Sequence, residues 1–381
     1  MRQKLEFQAD RIEAVLAVHK VTARVTGGTV TPRWVRFQVL PALGARISRI
    51  KGLSEELATA LDTPNCRISR RGAAVTVEVP RDDPRPVRLL PLYRQLASGD
   101  PPSTTPPITA ILGLAEDGAP LLIRLPSPDV AHVLIAGTTG SGKTVLMQAM
   151  VLSLALSNAP QSAPRPAGQG PAGRGLALVL IDPKGQAFGV FDGLPHLTRP
   201  VIRETAEAIE ALNSLVHLME RQAPARMGPP YIVLVIDELA DLLLTGGKPV
   251  QQALTRLAQR GRGAGIHVIA ATQKPTSAVL GPLVKANFPV RLVGRVTSIE
   301  DARTATGWSG SGAERLMGRG DFVAVAEGQV THFQAAHVSP QEIHEVVAHL
   351  AGGQSASDPA ETRAPLPGPV RRLADALRGD G

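Results

Sequence analysis

The stretch Gly137-Thr138-Thr139-Gly140-Ser141-Gly142-Lys143-Thr144 constrains this chain more than any other. It follows an apolar run, "HVLIA", and precedes "VLMQAMVLSLAL". That order reads as a buried strand, a glycine-rich turn and a helix. The glycines let backbone N–H groups turn inward around an anion, and the helix N-terminus adds a favourable field. All eight residues are therefore candidates to hold the phosphates of ATP. Lys143 would reach the β- and γ-phosphates, and the Thr144 hydroxyl would bind Mg²⁺. The competing reading is a glycine-rich turn with no ligand; strand, motif and helix in register argue against it.

A second segment, "YIVLVIDELADLL", runs a buried strand into Asp237 and Glu238. Carboxylates at the end of an apolar strand are costly unless they are used. Asp237 is the candidate for the metal shell. Glu238 is the candidate to orient and deprotonate an attacking water. An acidic helix N-terminus is the alternative, because acids are favoured there. "IHVIAATQKP" ends a third strand at Gln273, which could sense a γ-phosphate or be an ordinary loop amide. "LVLIDPKG" ends another at Asp182, where a turn-forming role competes with a functional one. His132 and His267 flank strands and read as packing or surface residues, as do Trp34 and Trp308 as packing residues.

These strands, with "PVRLVGRV", alternate with helical segments from residue 108 to 350. Continuous apolar strands separated by helices predict an α/β core with a parallel central sheet covered on both faces. Upstream, residues 1–98 mix a helical pattern (Leu5, Ile12, Val15, Leu16, Val18) with alternating strands "VRFQVLPA" and "AAVTVEVP". "LSEELATALD" between them reads as a helix with Ser54 at its N-cap. This predicts a small α+β domain. "GDPPSTTPP", residues 99–107, has linker composition, residues 158–175 read as a low-complexity surface loop, and residues 351–381 as a flexible tail with one helical hint, "VRRLADALR".

Charge points to a polyanion. The chain carries a formal net charge of +8, and residues 251–320 hold ten Lys/Arg against Glu300, Asp301 and Glu314. Such concentration suits sequence-independent phosphate-backbone contacts, with a basic surface lacking a partner as the alternative. Aromatic residues are 3% of the chain, which disfavours base stacking on single strands and favours a duplex. One cysteine, Cys66, excludes a disulfide framework. No apolar run approaches the roughly 20 residues a bilayer requires, so no intrinsic membrane segment and a cytoplasmic location are expected. Arg260 and Arg262 end a helical segment, where an arginine could reach a neighbouring subunit's γ-phosphate or could simply be solvated.

The segments "HVLIAGTTGSGKTV", "LVLIDPKG", "YIVLVIDELADLL", "LTRLAQRGRGAGIHVIAATQKPT", "LVKANFPVRLVGRV" and "GAERLMGRGDF" together resemble the motor portion of the FtsK/SpoIIIE family of DNA translocases. The resemblance extends weakly upstream and covers roughly residues 5–350. It implies a RecA-like P-loop ATPase core, a homohexameric ring around double-stranded DNA, and ATP held between subunits with Mg²⁺. It implies that Gln273 is the sensor and Arg262 the arginine finger acting across the interface. Lys274 and Arg303 fall in segments that contact DNA in such motors, with Lys285 a further candidate. Ile299 stands where the family often has Lys. No counterpart of the membrane-spanning N-terminus or of the C-terminal winged helix of the septal members is expected, so a separate recruiting protein is an open partner. A protein-translocating ATPase of the type VII secretion class, or a nucleotide-gated DNA-binding protein, are the alternative functions.

Overall fold

The computed structural model describes residues 2–71, 74–98, 106–158, 175–221, 230–273, 275, 286–352 and 371–372. Most of the 99–107 segment, the 158–175 loop and the tail, together with Lys274 and Lys285, lie outside the described residues. The chain forms two compact units, residues 1–86 and 87–381.

In the first unit, helix α1 (Arg2–Val18) packs on a four-stranded antiparallel sheet of order β1-β2-β4-β3. The strands are β1 (Ala23–Val30), β2 (Trp34–Pro41), β3 (Arg67–Arg71) and β4 (Ala74–Pro80). Period-2 alternation directs Val35, Phe37, Val39, Val75, Val77 and Val79 to one face. There they meet Ile12 and Leu16 of α1, and Leu57 of α3 (Ser54–Ala60). A short helix α2 (Ile47–Lys51) precedes α3. Ser54 is the first residue of α3 rather than its cap; Leu53 takes the cap position, with no side-chain hydrogen bond. Trp34 is buried, with the Arg67 guanidinium 4.4 Å from its ring centroid. Arg36 and Glu78 form a buried ion pair at 2.7 Å.

The second unit begins with β5 (Val87–Arg88) and α4 (Leu89–Ala97). Leu89, Leu92 and Leu96 of α4 belong to the core that also contains Ile111 and Leu152, which ties residues 87–97 to this unit by packing. Its central strands are β8 (Val133–Ala136), β9 (Leu176–Ile181), β10 (Tyr231–Ile236), β11 (Ile266–Thr272) and β12 (Val290–Val293). They pair in parallel in the order β12-β8-β11-β10-β9. All five were legible as apolar runs. The sheet does not stop there. On the far side of β12 it continues antiparallel through β13 (Asp321–Ala326), β14 (Gln329–His337), β6 (Thr109–Ala115) and β7 (Pro120–Arg124). The sheet is therefore mixed, with a parallel centre. Two residues of the tail, Arg371 and Arg372, form β15 against β7, so these two are strand rather than helix.

Helices cover both faces. Helix α5 (Lys143–Ser157) is buried along almost its whole length and lies in one core cluster with Ile135, Val235 and Ile269. Helices α6 (Thr205–Arg221) and α7 (Leu239–Arg260) cover the other face, against Leu134, Leu234 and Ile236. Alternate residues of the same strands enter opposite clusters, which explains runs that are apolar at every position. Helix α7 is broken at Gly247, whose φ of 55° and ψ of −142° leave the helical region, two residues before Pro249. Proline lacks the N–H that a continuous helix needs there.

Candidate nucleotide site

Three neighbouring strands deliver the candidate residues to one edge. The strands are β8, β11 and β10, in that order, and each ends at the carboxyl edge of the sheet. Gly137 follows β8, Gln273 follows β11, and Asp237 follows β10. Sheet spacing places the outer two about 10 Å apart. Polar residues collect at this edge because the strand interiors are closed to them.

Within the loop, Gly137, Gly140 and Gly142 all have positive φ. Gly142 caps α5 in the left-handed region at φ 103°, and a Cβ there would lie 2.7 Å from the Gly320 nitrogen. Only glycine satisfies both conditions. The loop is held from behind by backbone donors. Arg319 N–H donates to the Gly140 carbonyl at 2.9 Å, and Gly320 N–H to that of Ser141 at 2.8 Å. On its other side the Thr138 N–H and hydroxyl both donate to the Arg295 carbonyl, at 2.8 and 3.0 Å.

Lys143 donates to the carbonyls of Gly137 (2.7 Å) and Thr138 (3.1 Å). It is 6% exposed. Burial pulls its ammonium down to about 8, opposed by the charges of Glu238 and Asp237. A cation held only by its own loop's carbonyls, beside two acids, is a group prepared for an anion. Ser141 Oγ is buried with no hydrogen-bond partner. These features fit a polyphosphate. Among the described residues no cluster of three or more His, Cys, Asp or Glu forms a metal cage. Magnesium needs none: it commonly takes one or two protein oxygens, with waters and substrate phosphates supplying the rest. Thr144 and Asp237 are the residues that would hold it.

Asp237 is pushed up to about 6, by burial first and then by Asp182 and Glu238. Glu238 is 2% exposed yet fully engaged. The Thr272 hydroxyl donates to its Oε1 at 2.9 Å, and Gln273 N–H donates to both its oxygens at 3.1 and 3.2 Å. Glu238 also stands at the N-cap of α7. The carboxylate begins a helix, as the alternative reading expected, and through Gln273 it is also joined to the phosphate loop at Thr139. The Gln273 side chain accepts a hydrogen bond from Thr139 Oγ1 at 2.9 Å. One residue therefore touches the acid through its backbone and the loop through its amide.

Two participants were missed in the sequence. Lys184 reaches Asp241 at 3.0 Å and Glu238 at 3.7 Å. Its ammonium is raised above the usual lysine range, chiefly by the hydrogen bond with Asp241. The signal was present in "DPKG", two residues after Asp182, but nothing in the sequence paired it with α7. Thr272 carries no motif at all. Asp182 takes the turn-forming role: its carboxylate accepts the N–H groups of Gln186 (3.3 Å), Ala187 (2.8 Å) and Phe188 (3.0 Å).

Arg262 is elsewhere. It sits in the 3₁₀ turn Gly261–Ala264, just before β11 begins, whereas Gln273 follows its end. Seven strand residues separate these edges by about 20 Å. Arg262 cannot reach the phosphate loop of its own chain. Arg303 is exposed in the last turn of the helix Ile299–Thr306, and Ile299 is 68% exposed at its start. Trp308 is 44% exposed and so is not the packing residue expected.

The FtsK/SpoIIIE family model matches residues 101–228 and 217–277, and that of the FtsK alpha domain matches residues 1–81. DNA translocase FtsK of Bacillus anthracis is 33% identical over 381 residues, covering 91% of this chain and 45% of that protein. The chain belongs to the FtsK/SpoIIIE family. DNA translocase FtsK of Staphylococcus epidermidis is 32% identical, with 99% of this chain and 49% of that protein covered. The chain thus spans about half the length of the curated FtsK relatives it matches. Among solved structures, the pCW3 conjugation coupling protein TcpA, in its monomer form with ATPgS, superimposes with a TM-score of 0.54 at 19% identity. It covers 89% of this chain and 99% of its own. The cytoplasmic domain of the type VII secretion ATPase EccC from Thermomonospora curvata gives 0.55 at 22% identity, over 74% of this chain and 36% of its own. These likenesses establish the P-loop ATPase fold. Among the described residues of this FtsK/SpoIIIE member, no helix is long and apolar enough to cross a membrane.

Proposed function

We propose that this chain is an ATP-driven motor that moves along double-stranded DNA; its curated FtsK relatives carry the name DNA translocase. The observation that carries the reading is the buried Glu238, held by Thr272 and Gln273 beside a complete phosphate loop. A storage or gating site needs the loop but not a positioned base.

The residues divide the work. The N–H groups of residues 137–144 and the Lys143 ammonium bind and neutralise the phosphates. Thr144 and Asp237 would hold magnesium, which when bound would supply Lewis-acid polarisation of the phosphate oxygens. Glu238 takes the proton of the attacking water. Gln273, joined to both Glu238 and Thr139, links the state of the phosphate end to the base. Arg262, remote from its own loop, is assigned to the next subunit's site, which makes hydrolysis depend on assembly in a ring, a homohexamer in this reading. Lys274 and Arg303, with Lys285 as a weaker third, are the DNA contacts. A cytoplasmic location and a separate recruiting protein belong to the same reading.

The deciding experiment is steady-state ATP hydrolysis with linear duplex DNA, single-stranded DNA and no DNA at matched salt. Stimulation by duplex is expected. Turnover indifferent to DNA would overturn the reading and direct the search to a protein substrate.

A further inference from the structure

At the amino edge of the sheet, opposite the phosphate loop, two buried polar atoms of complementary kind have no partner. They are Nε of Arg262 and Nε2 of His267. His267 is fully buried, as the second residue of β11, and Arg262 lies in the turn that leads into that strand. The turn is closed by the Gly265 N–H donating to the Arg262 carbonyl at 3.0 Å. The Arg262 charge is close enough to add to the depression of the His267 ring's basicity, which burial dominates and which brings it to about 4.

The ring's chemistry is fixed by its other nitrogen. His267 Nδ1 lies 2.9 Å from the Ala131 carbonyl, which can only accept, so Nδ1 carries the proton. In a neutral ring Nε2 is then a bare acceptor. Arg262 Nε–H can only donate. A buried donor and a buried acceptor, five residues apart at one edge of the sheet and both unsatisfied, each carry a penalty that a hydrogen bond between them would remove. The surroundings are tied together by hydrogen bonds. His132 Nδ1 accepts Val268 N–H at 3.0 Å, and its other side bonds to the Ala258 carbonyl near the end of α7. A Cβ on Gly261 would lie 3.8 Å from the His132 ring, so the Arg262 turn rests against this imidazole. The Tyr231 ring stands 6.0 Å from His267 on the neighbouring strand.

We infer that His267 is a positioning residue: when a neighbouring subunit docks, its Nε2 accepts Arg262 Nε–H, a bond the single chain does not make, and aims the guanidinium's terminal nitrogens outward at the adjoining subunit's nucleotide. This rests on the assignment of Arg262 to the neighbour's site. It also gives β11 a role at both ends, since its far end carries Thr272 and Gln273. The strand joins the place where a subunit senses its own nucleotide to the place where it acts on another's.

The test is DNA-stimulated hydrolysis by the full chain carrying Arg262→Ala, His267→Leu, His267→Gln, or His267→Leu with Arg262→Ala. His267→Leu should lower kcat at least tenfold with KM for ATP unchanged. His267→Gln, which keeps a donor and an acceptor, should recover most of the activity, and the double variant should be no worse than Arg262→Ala alone. Normal kcat in His267→Leu, or additive losses in the double variant, overturns the inference. A fully active Arg262→Ala instead overturns the assignment across the interface. Should His267→Leu fail to fold, the ¹⁵N resonance of His267 Nε2 in the assembled protein decides. It should move in Arg262→Ala and stay in Arg260→Ala, and no movement in the former sinks the proposal.

Discussion

The smallest scale is a single charge. Lys143 occupies a site that disfavours charge by burial and favours it by two acids. Lys143→Ala removes the cation and should abolish nucleotide binding, measured by titration with a fluorescent ATP analogue. Normal turnover in that variant would refute the site. Glu238→Gln keeps the shape and can still accept from Thr272 and Gln273. It should bind nucleotide normally while kcat falls by about 10² to 10⁴, the range expected when a general base is lost. Thr272→Val deletes only the hydroxyl that orients that carboxylate. A loss of about 1–3 kcal/mol from transition-state stabilisation is expected, read as kcat/KM. At this scale the sequence was legible where a residue type is demanded by chemistry, as at Gly142, Lys143 and Asp237. It was silent where a residue serves through a partner distant in the chain. Lys184 meets Asp241 across 57 positions, and no local pattern encodes that meeting.

At the scale of elements, apolar continuity identified the five parallel strands because each is buried on both faces. The same signal did not reveal β6, β7, β13 and β14 as parts of one sheet. β6–β7 and β13–β14 are local antiparallel hairpins, but the pairing that joins one hairpin to the other is long-range, with Phe333 opposite Ala115, and apolar runs carry no record of partner or direction. The Arg319–Gly320 backbone that supports the phosphate loop was equally hidden, since it acts through N–H groups that every residue but proline has. Gly142→Ala is the corresponding test. Its φ of 103° and the 2.7 Å approach to Gly320 should make the variant lose nucleotide affinity and about 1–3 kcal/mol of stability, seen as a lowered Tm of the second unit. A variant that melts and binds like the parent would disprove the close approach.

Across the whole molecule, buried imidazoles contribute to the acid limit, among them His132 and His267, with His196 lowered by burial as well. Burial brings His132 to about 3 and His267 to about 4. Their native pKa values lie below the unfolded value near 6.5. Neither costs stability at pH 7, but as pH falls below 6.5 the unfolded chain takes up protons that the native chain refuses. Each ring then removes stability at about 1.4 kcal/mol per pH unit until its native pKa is reached. Asp237, raised to about 6, works in the opposite direction and offsets part of this between pH 6 and 4. Denaturant titrations at pH 7, 6, 5 and 4 should show the loss, and His132→Asn should flatten it; a flat parent profile would show that the rings are not buried neutral. Neutralising Lys274 and Arg303 together should weaken duplex binding and reduce its salt slope by about one for each phosphate that the variant no longer neutralises. An unchanged slope would remove them from the DNA path.

The antiparallel half of the large sheet also sets a timetable. The β6–β7 hairpin is made early, but β14, the strand that pairs with β6, follows it by roughly two hundred residues. At about 5–20 residues per second, the ribosome leaves that hairpin edge waiting for something like 10–40 s. The first unit, complete by residue 86, has no such wait. Lys143 and Glu238 are both synthesised before the strands that close their sheet. The pocket is therefore finished only once β14 has emerged from the exit tunnel. Slowing translation between residues 124 and 321 should expose the second unit, and not the first, to aggregation and chaperone capture.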